Sequence, residues 1–129
     1  MQVLTTSNPD GVRAPASRYS HAVLVRNEAL RVVISGQVGV ALDGSVPGTA
    51  EGQIAQAFAN LRAILKAHNM DWGNVVKTTA FLTDRALIAP FRAARETVFA
   101  EHAPASTLLI VSGLADPRWV VEIEAEAVA

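Results

Sequence analysis

The feature that most restricts the fold is a strand, helix, strand, helix, strand succession running from Leu30 to Leu114. Leu30-Arg-Val-Val-Ile-Ser35 is a β-branched run ended by Gly36-Gln-Val-Gly39, and a turn-rich loop, 42–48, follows. Thr49 can cap a helix in which Ile54, Phe58, Leu61 and Leu65 recur at spacings of four, three and four, an amphipathic stripe. Asn69 suits the helix end, and Asp71-Trp-Gly-Asn74 turns the chain into a strand from Val75 to Thr83. Asp84 opens a second helical segment with Leu87, Phe91, Ala94 and Val98 on one stripe. Pro90 cannot donate a helix hydrogen bond, so it belongs near the first turn, with 85–89 as a tighter lead-in. A strand–helix–strand unit of this length makes its two strands parallel, through a right-handed crossover. Two in succession place both helices on one face of a mixed sheet.

The last third completes the sheet. Residues 104–114 and 119–129 read as strands, with Gly113 to Arg118 as the connection. Strand alternation puts Val121, Ile123, Ala125 and Ala127 on one face and Glu122, Glu124 and Glu126 on the other. Three like charges along a strand repel unless each is solvated or paired. At the other end, His21-Ala-Val-Leu-Val-Arg26 and Leu30 to Ser35 flank Asn27-Glu-Ala29, which predicts a hairpin. Residues 1–18 read as an irregular arm, because Asn8-Pro-Asp-Gly11 and Ala14-Pro15 carry turn chemistry without periodicity. The expectation is a single α+β domain over 1–129 with element order ββαβαββ.

A sheet with helices on one side leaves its other face bare, and the Val and Ile of these strands make that face partly apolar. Self-association covers such a face and creates clefts between subunits. The 50% apolar and 18% charged composition agrees with a core-rich chain. With 11 basic and 12 acidic side chains the net charge is −1, so no global field favours nucleic acid or an anionic membrane. The absence of cysteine excludes thiol catalysis and disulfides. No run has membrane-spanning length, and the N-terminus lacks the basic start and apolar core of a secretory signal, so a cytoplasmic protein is expected.

The residues exclude several chemistries. His21, His68 and His102 have no i, i+4 relationship with a carboxylate partner, so no metal site is expected. Glycines at 36, 39, 44 and 48 lack the Gly-Lys-Ser/Thr of a phosphate loop, and Ser35 and Ser112 lack the nucleophile-elbow pattern.

Tyr19-Ser20, Ile34-Ser-Gly-Gln37, the helix Gln53 to Lys66, Val75-Val-Lys-Thr-Thr-Ala-Phe-Leu-Thr-Asp84, Pro104-Ala-Ser-Thr107 and Val121-Glu-Ile-Glu-Ala125 resemble, in order and spacing, the Rid family of YjgF-type reactive-intermediate deaminases. The resemblance extends from Arg18 onward. It implies a chorismate-mutase-like fold, a homotrimer whose sheets line a central barrel, and three intersubunit clefts. It also implies hydrolysis of enamines and imines to 2-oxo acids and ammonia without a cofactor. Ribonuclease activity, ascribed to some family members, finds no support in the near-neutral charge.

In the family an arginine of a Pro-x-Arg-Ser motif holds the substrate carboxylate, a glutamate of the last strand orients water, and a tyrosine with the Ser-Gly backbone shapes the pocket. By resemblance the tyrosine is Tyr19, the Ser-Gly is Ser35 and Gly36, and the catalytic glutamate is Glu122. The arginine falls on Ser106, which carries no charge. The family's pocket asparagine falls on Arg92. Either Arg92 or Arg18 restores the positive charge, with backbone amides near Ser106 and Thr107 orienting a carboxylate-bearing ligand, or this is an arginine-less branch. Such a branch would have a different substrate or act as a non-catalytic binding trimer.

Overall fold

The computed structural model describes residues 3–129. In chain order the elements are β1 Val3–Ser7, β2 Ala22–Arg26, β3 Arg31–Val38, α1 Ala50–Ala67, β4 Val75–Leu82, α2 Ile88–Val98, β5 Ala105–Ile110 and β6 Val121–Val128. Short 3-10 turns at Trp72–Asn74 and Arg85–Leu87 lead into β4 and α2.

The main sheet has the order β3-β6-β4-β5. β4 and β5 are parallel, and β6 is antiparallel to both β3 and β4. β3 and β4 therefore run the same way, as the first crossover requires, but β6 is inserted between them. Both helices pack on the face that presents Val121, Ile123, Ala125 and Ala127, all buried with Ile54, Phe58, Leu61, Leu65 and Phe91. Thr49 caps α1 by accepting a hydrogen bond from the Gly52 amide at 3.0 Å, and Asn69 just beyond the helix takes the left-handed conformation (φ 58°) that ends it. Pro90 lies in the first turn of α2, where its missing N–H costs nothing.

Two N-terminal expectations need correction. The arm is not irregular throughout, since Val3–Ser7 forms β1. Nor does β2 form a hairpin with β3: it pairs antiparallel with β1 in a separate two-stranded sheet, with Thr5 opposite Leu24. The connection 8–21 between them is long, so local turn signals cannot announce the pairing. Meanwhile Leu30 is diverted toward the other terminus, exchanging backbone hydrogen bonds with Ala129 in both directions, and Arg31 pairs with Val128. The β-branched runs were legible as strands, but their partners are distant in sequence.

The face away from the helices carries Val33, 72% exposed, and Leu109, with Phe81 and the three glutamates between them. Each glutamate has a different environment. Glu126 bonds Arg31 at 2.8 Å, Glu124 is exposed, and Glu122 is half-buried.

Candidate functional site

A small polar cavity of about 170 Å³ opens at the β5 edge, lined by Ser17, Tyr19, Arg92, Arg95, Ser106 and Leu108. The segment before β2 forms one wall. It is fixed there because the Ser20 amide donates to the Pro104 carbonyl (3.1 Å) and the Ser20 hydroxyl to the Ala103 carbonyl (2.6 Å), with a parallel bridge to Ala105. α2 forms the opposite wall, and Ser106 and Leu108 of β5 supply the floor.

Arg95 is the unusual group. It is only 4% exposed, four residues beyond the core residue Phe91 and thus on the buried stripe of α2. Its Nη1 donates to the Ser106 hydroxyl at 3.0 Å and its Nη2 to the Ser17 hydroxyl at 2.8 Å, while Nε is buried without a hydrogen-bond partner among the described residues. No carboxylate forms an ion pair with it among those residues. The guanidinium carbon lies 5.4 Å from the Phe91 ring centroid and 6.0 Å from that of Tyr19, within cation–π range. Burial, and secondarily the like charge of Arg92, push the Arg95 pKa below its ordinary value. A buried cation without a counter-ion is costly, and an anion entering the cavity relieves that cost.

Ser106 also accepts a hydrogen bond from the Thr78 hydroxyl at 3.1 Å. With two bonds accepted, its own proton is free to donate. The position expected to carry an arginine thus holds a serine, and a guanidinium from the neighbouring helix is held against it. Sequence reasoning singled out Arg92, which lines this cavity, and Arg18, which does not. Arg18 Nε donates to the Phe99 carbonyl at 2.8 Å and its Nη2 to the Ala100 carbonyl, at the negative end of α2. Arg95 was missed, although a charge at i+4 from Phe91 on an otherwise apolar stripe was a usable signal.

Ser35, Gly36 and Glu122 lie elsewhere. Between Ile34 and Gln37 the β3–β6 register slips by one residue, a bulge containing Ser35 and Gly36. The bulge brings the Gly36 backbone against the Glu122 carboxylate so closely that a Cβ on Gly36 would fall 2.1 Å from Glu122 Oε1. Glu122 is opposite Phe81 of β4, whereas Ser106 is opposite Thr78. Phe81 and Thr78 are three apart, so their side chains emerge on opposite faces of the sheet. Glu122 and the Arg95 cavity of one subunit are therefore on different sides of it. Thr107 points to the glutamate side, where its hydroxyl accepts from Lys77 Nζ at 2.6 Å.

Among the described residues no cluster of three or more His, Asp or Glu side chains could hold a metal, and no helix is long and apolar enough to cross a membrane.

A model of the family described as Endoribonuclease L-PSP, the Rid or YjgF family, matches residues 11–129. The chain belongs to the Rid family. It is 42% identical over 123 residues to the mouse 2-iminobutanoate/2-iminopropanoate deaminase, covering 90% of this chain and 86% of that one. Among solved structures, the Rid-family protein YyfB of Yersinia pestis superposes with a TM-score of 0.88 at 26% identity over 98% of each chain. The Escherichia coli protein TdcF with bound serine gives a TM-score of 0.73 at 28% identity, over 89% of this chain and 91% of that one. The mixed α+β architecture of this Rid-family chain is thus that of its structural neighbours.

Proposed function

We propose that this protein hydrolyses small 2-imino acids to 2-oxo acids and ammonia in clefts between the subunits of a homotrimer. The observation that carries the reading is the buried Arg95 guanidinium, which forms no ion pair with a carboxylate among the described residues and is held against Ser106. It restores, from α2, the carboxylate-binding charge that the Ser106 position lacks. The name of the mouse relative, and the serine bound to TdcF, support a ligand with a carboxylate beside an amine-derived carbon.

In this mechanism the substrate carboxylate takes two N–H donors of Arg95 and the free hydroxyl proton of Ser106. Tyr19 closes one side of the pocket. Glu122 accepts a proton from water as its oxygen adds to the imine carbon and returns it to the imine nitrogen; the resulting carbinolamine gives its hydroxyl proton to the same nitrogen, which leaves as ammonia as the carbonyl forms. Because the sheet separates Glu122 from Arg95 within one subunit, Glu122, Gly36 and Ser35 reach the substrate from a neighbouring copy, whose bare sheet face packs against the β5 edge where this cavity opens. An imine carbon is already electrophilic, so these groups suffice without a cofactor.

The test generates 2-iminopropanoate in situ and follows ammonia release with wild type and Glu122→Gln. Equal rates for the two proteins remove Glu122 from the mechanism, and rates equal to buffer alone favour a binding trimer without turnover. Ribonuclease activity ranks below both readings, because two arginines in a cavity of this size match a small acid rather than a polynucleotide track.

A further inference from the structure

We infer that the cavity selects 2-imino acids bearing a second carboxylate, with Arg95 holding the carboxylate beside the imine and Arg92 the one at the far end. This rests on the reading of the site as an imine deaminase and narrows its substrate class. Arg92 and Arg95 are three apart on α2, so their side chains share one flank, and both line the cavity. None of the residues lining it is acidic. Arg31, Arg62 and Arg118 each bond a carboxylate, but neither Arg92 nor Arg95 does so among the described residues. The two also repel one another, since the Arg92 charge lowers the Arg95 pKa. Glu96, the nearest acid on α2, is exposed and lies outside the cavity lining, and its charge raises the Arg95 pKa by less than the Arg92 charge lowers it, so it offsets the pair only in part.

A monocarboxylate satisfies one guanidinium and leaves the other facing it with no counter-charge. A dicarboxylate satisfies both. The cavity, about 170 Å³ and open on one side, has room for a short diacid. The depth of the two groups sets the order of binding. Arg95 is buried and fixed by Ser17 and Ser106, so it fits the invariant carboxylate, whereas exposed Arg92 can follow side chains of different length. The reaction is unchanged: water adds to the C=N carbon, the C–N bond breaks, ammonia leaves, and a 2-oxo diacid forms without oxidant or reductant. An upstream oxidation of an acidic amino acid must supply the imine.

The experiment oxidises aspartate or alanine with a flavin amino-acid oxidase, so that iminosuccinate or 2-iminopropanoate forms beside the protein, and measures hydrolysis of each. In parallel, calorimetry titrates succinate and propionate into the protein. The expected kcat/KM is about tenfold or more higher for iminosuccinate, the worth of one added charged hydrogen-bonding contact. Arg92→Gln should lower that value about tenfold more than the value for 2-iminopropanoate and abolish the preference for succinate over propionate. Equal kcat/KM for the two imines, or an Arg92→Gln protein that keeps the wild-type preference, overturns the inference while leaving imine hydrolysis intact. Hydrolysis of neither imine, together with Arg92-dependent succinate binding, sinks the deaminase reading instead and leaves the two-arginine diacid pocket standing.

Discussion

Arg95 Nη1 lies 3.0 Å from the Ser106 hydroxyl, so a charge from the second helix occupies the space beside a strand position where the Rid family resemblance calls for an arginine. A guanidinium supplied from α2 thus stands beside the β5 position to which the resemblance assigns one.

This arrangement separates function from stability. A buried charge without a counter-ion is tolerated rather than stabilising, and apolar replacements of similar volume are often neutral or better. Arg95→Met should therefore unfold at the same temperature as wild type or higher, while kcat/KM for a 2-imino acid falls by about 10- to 100-fold through lost charged hydrogen bonds. Thermal unfolding and steady-state kinetics on one preparation check both halves. A protein that loses several degrees of Tm with unchanged kinetics would make Arg95 a structural residue.

Glu122→Gln keeps the shape of the side chain and removes the base that the proposed mechanism uses. The expected result is a kcat about 100-fold lower or more, with KM little changed, because general-base assistance acts in the transition state.

Gly36 is tied to the same carboxylate. A methyl at residue 36 would collide with Glu122 Oε1, Cδ and Cγ, all side-chain atoms that can rotate away. Gly36→Ala should thus fold normally, with a shifted carboxylate and a loss of kcat approaching that of Glu122→Gln. Gly39 offers the contrast, since its added Cβ would meet the Gln53 backbone at 2.6 Å, where nothing can rotate. Gly39→Ala should lower stability, and comparing the two Tm values separates the effects.

The bare sheet face predicts the assembly. Val33 is 72% exposed on it, and a charge there would be desolvated if three copies met. Val33→Asp should sediment as a monomer and lose imine hydrolysis, with the far-UV spectrum retained. A trimer of unchanged activity would show that copies meet elsewhere.

Acid sensitivity should trace in part to Asp71. Its hydrogen bonds and ion pairs with Arg62 and Lys66 hold its pKa well below the ordinary 3.8. A depressed folded pKa contributes stability above the unfolded value that is lost as pH falls through the folded one. Asp71→Asn should be less stable than wild type near neutrality, and the gap should narrow only below pH 3.8. The group is more than a third exposed, so the gap is small and shrinks in high salt.

The sequence by itself determined the local elements. The four-three-four stripe of Ile54, Phe58, Leu61 and Leu65 is the buried side of α1, and Thr49, Asn69 and Pro90 mark helix ends because capping and turn preferences act within a few residues. The alternation from Val121 to Ala127 named the buried face of β6 for the same reason. Only the tertiary structure decided that β6 enters between β3 and β4, that β2 pairs with β1, and that Arg95 rather than Arg18 faces Ser106. Those outcomes depend on contacts between residues far apart in the chain, whose energies no short window of sequence contains. Arg18 and Arg95 are the same residue type, yet one is spent on helix-end carbonyls and the other is held in a cavity. What separates them is which distant oxygen each guanidinium meets once the sheet and helices have packed.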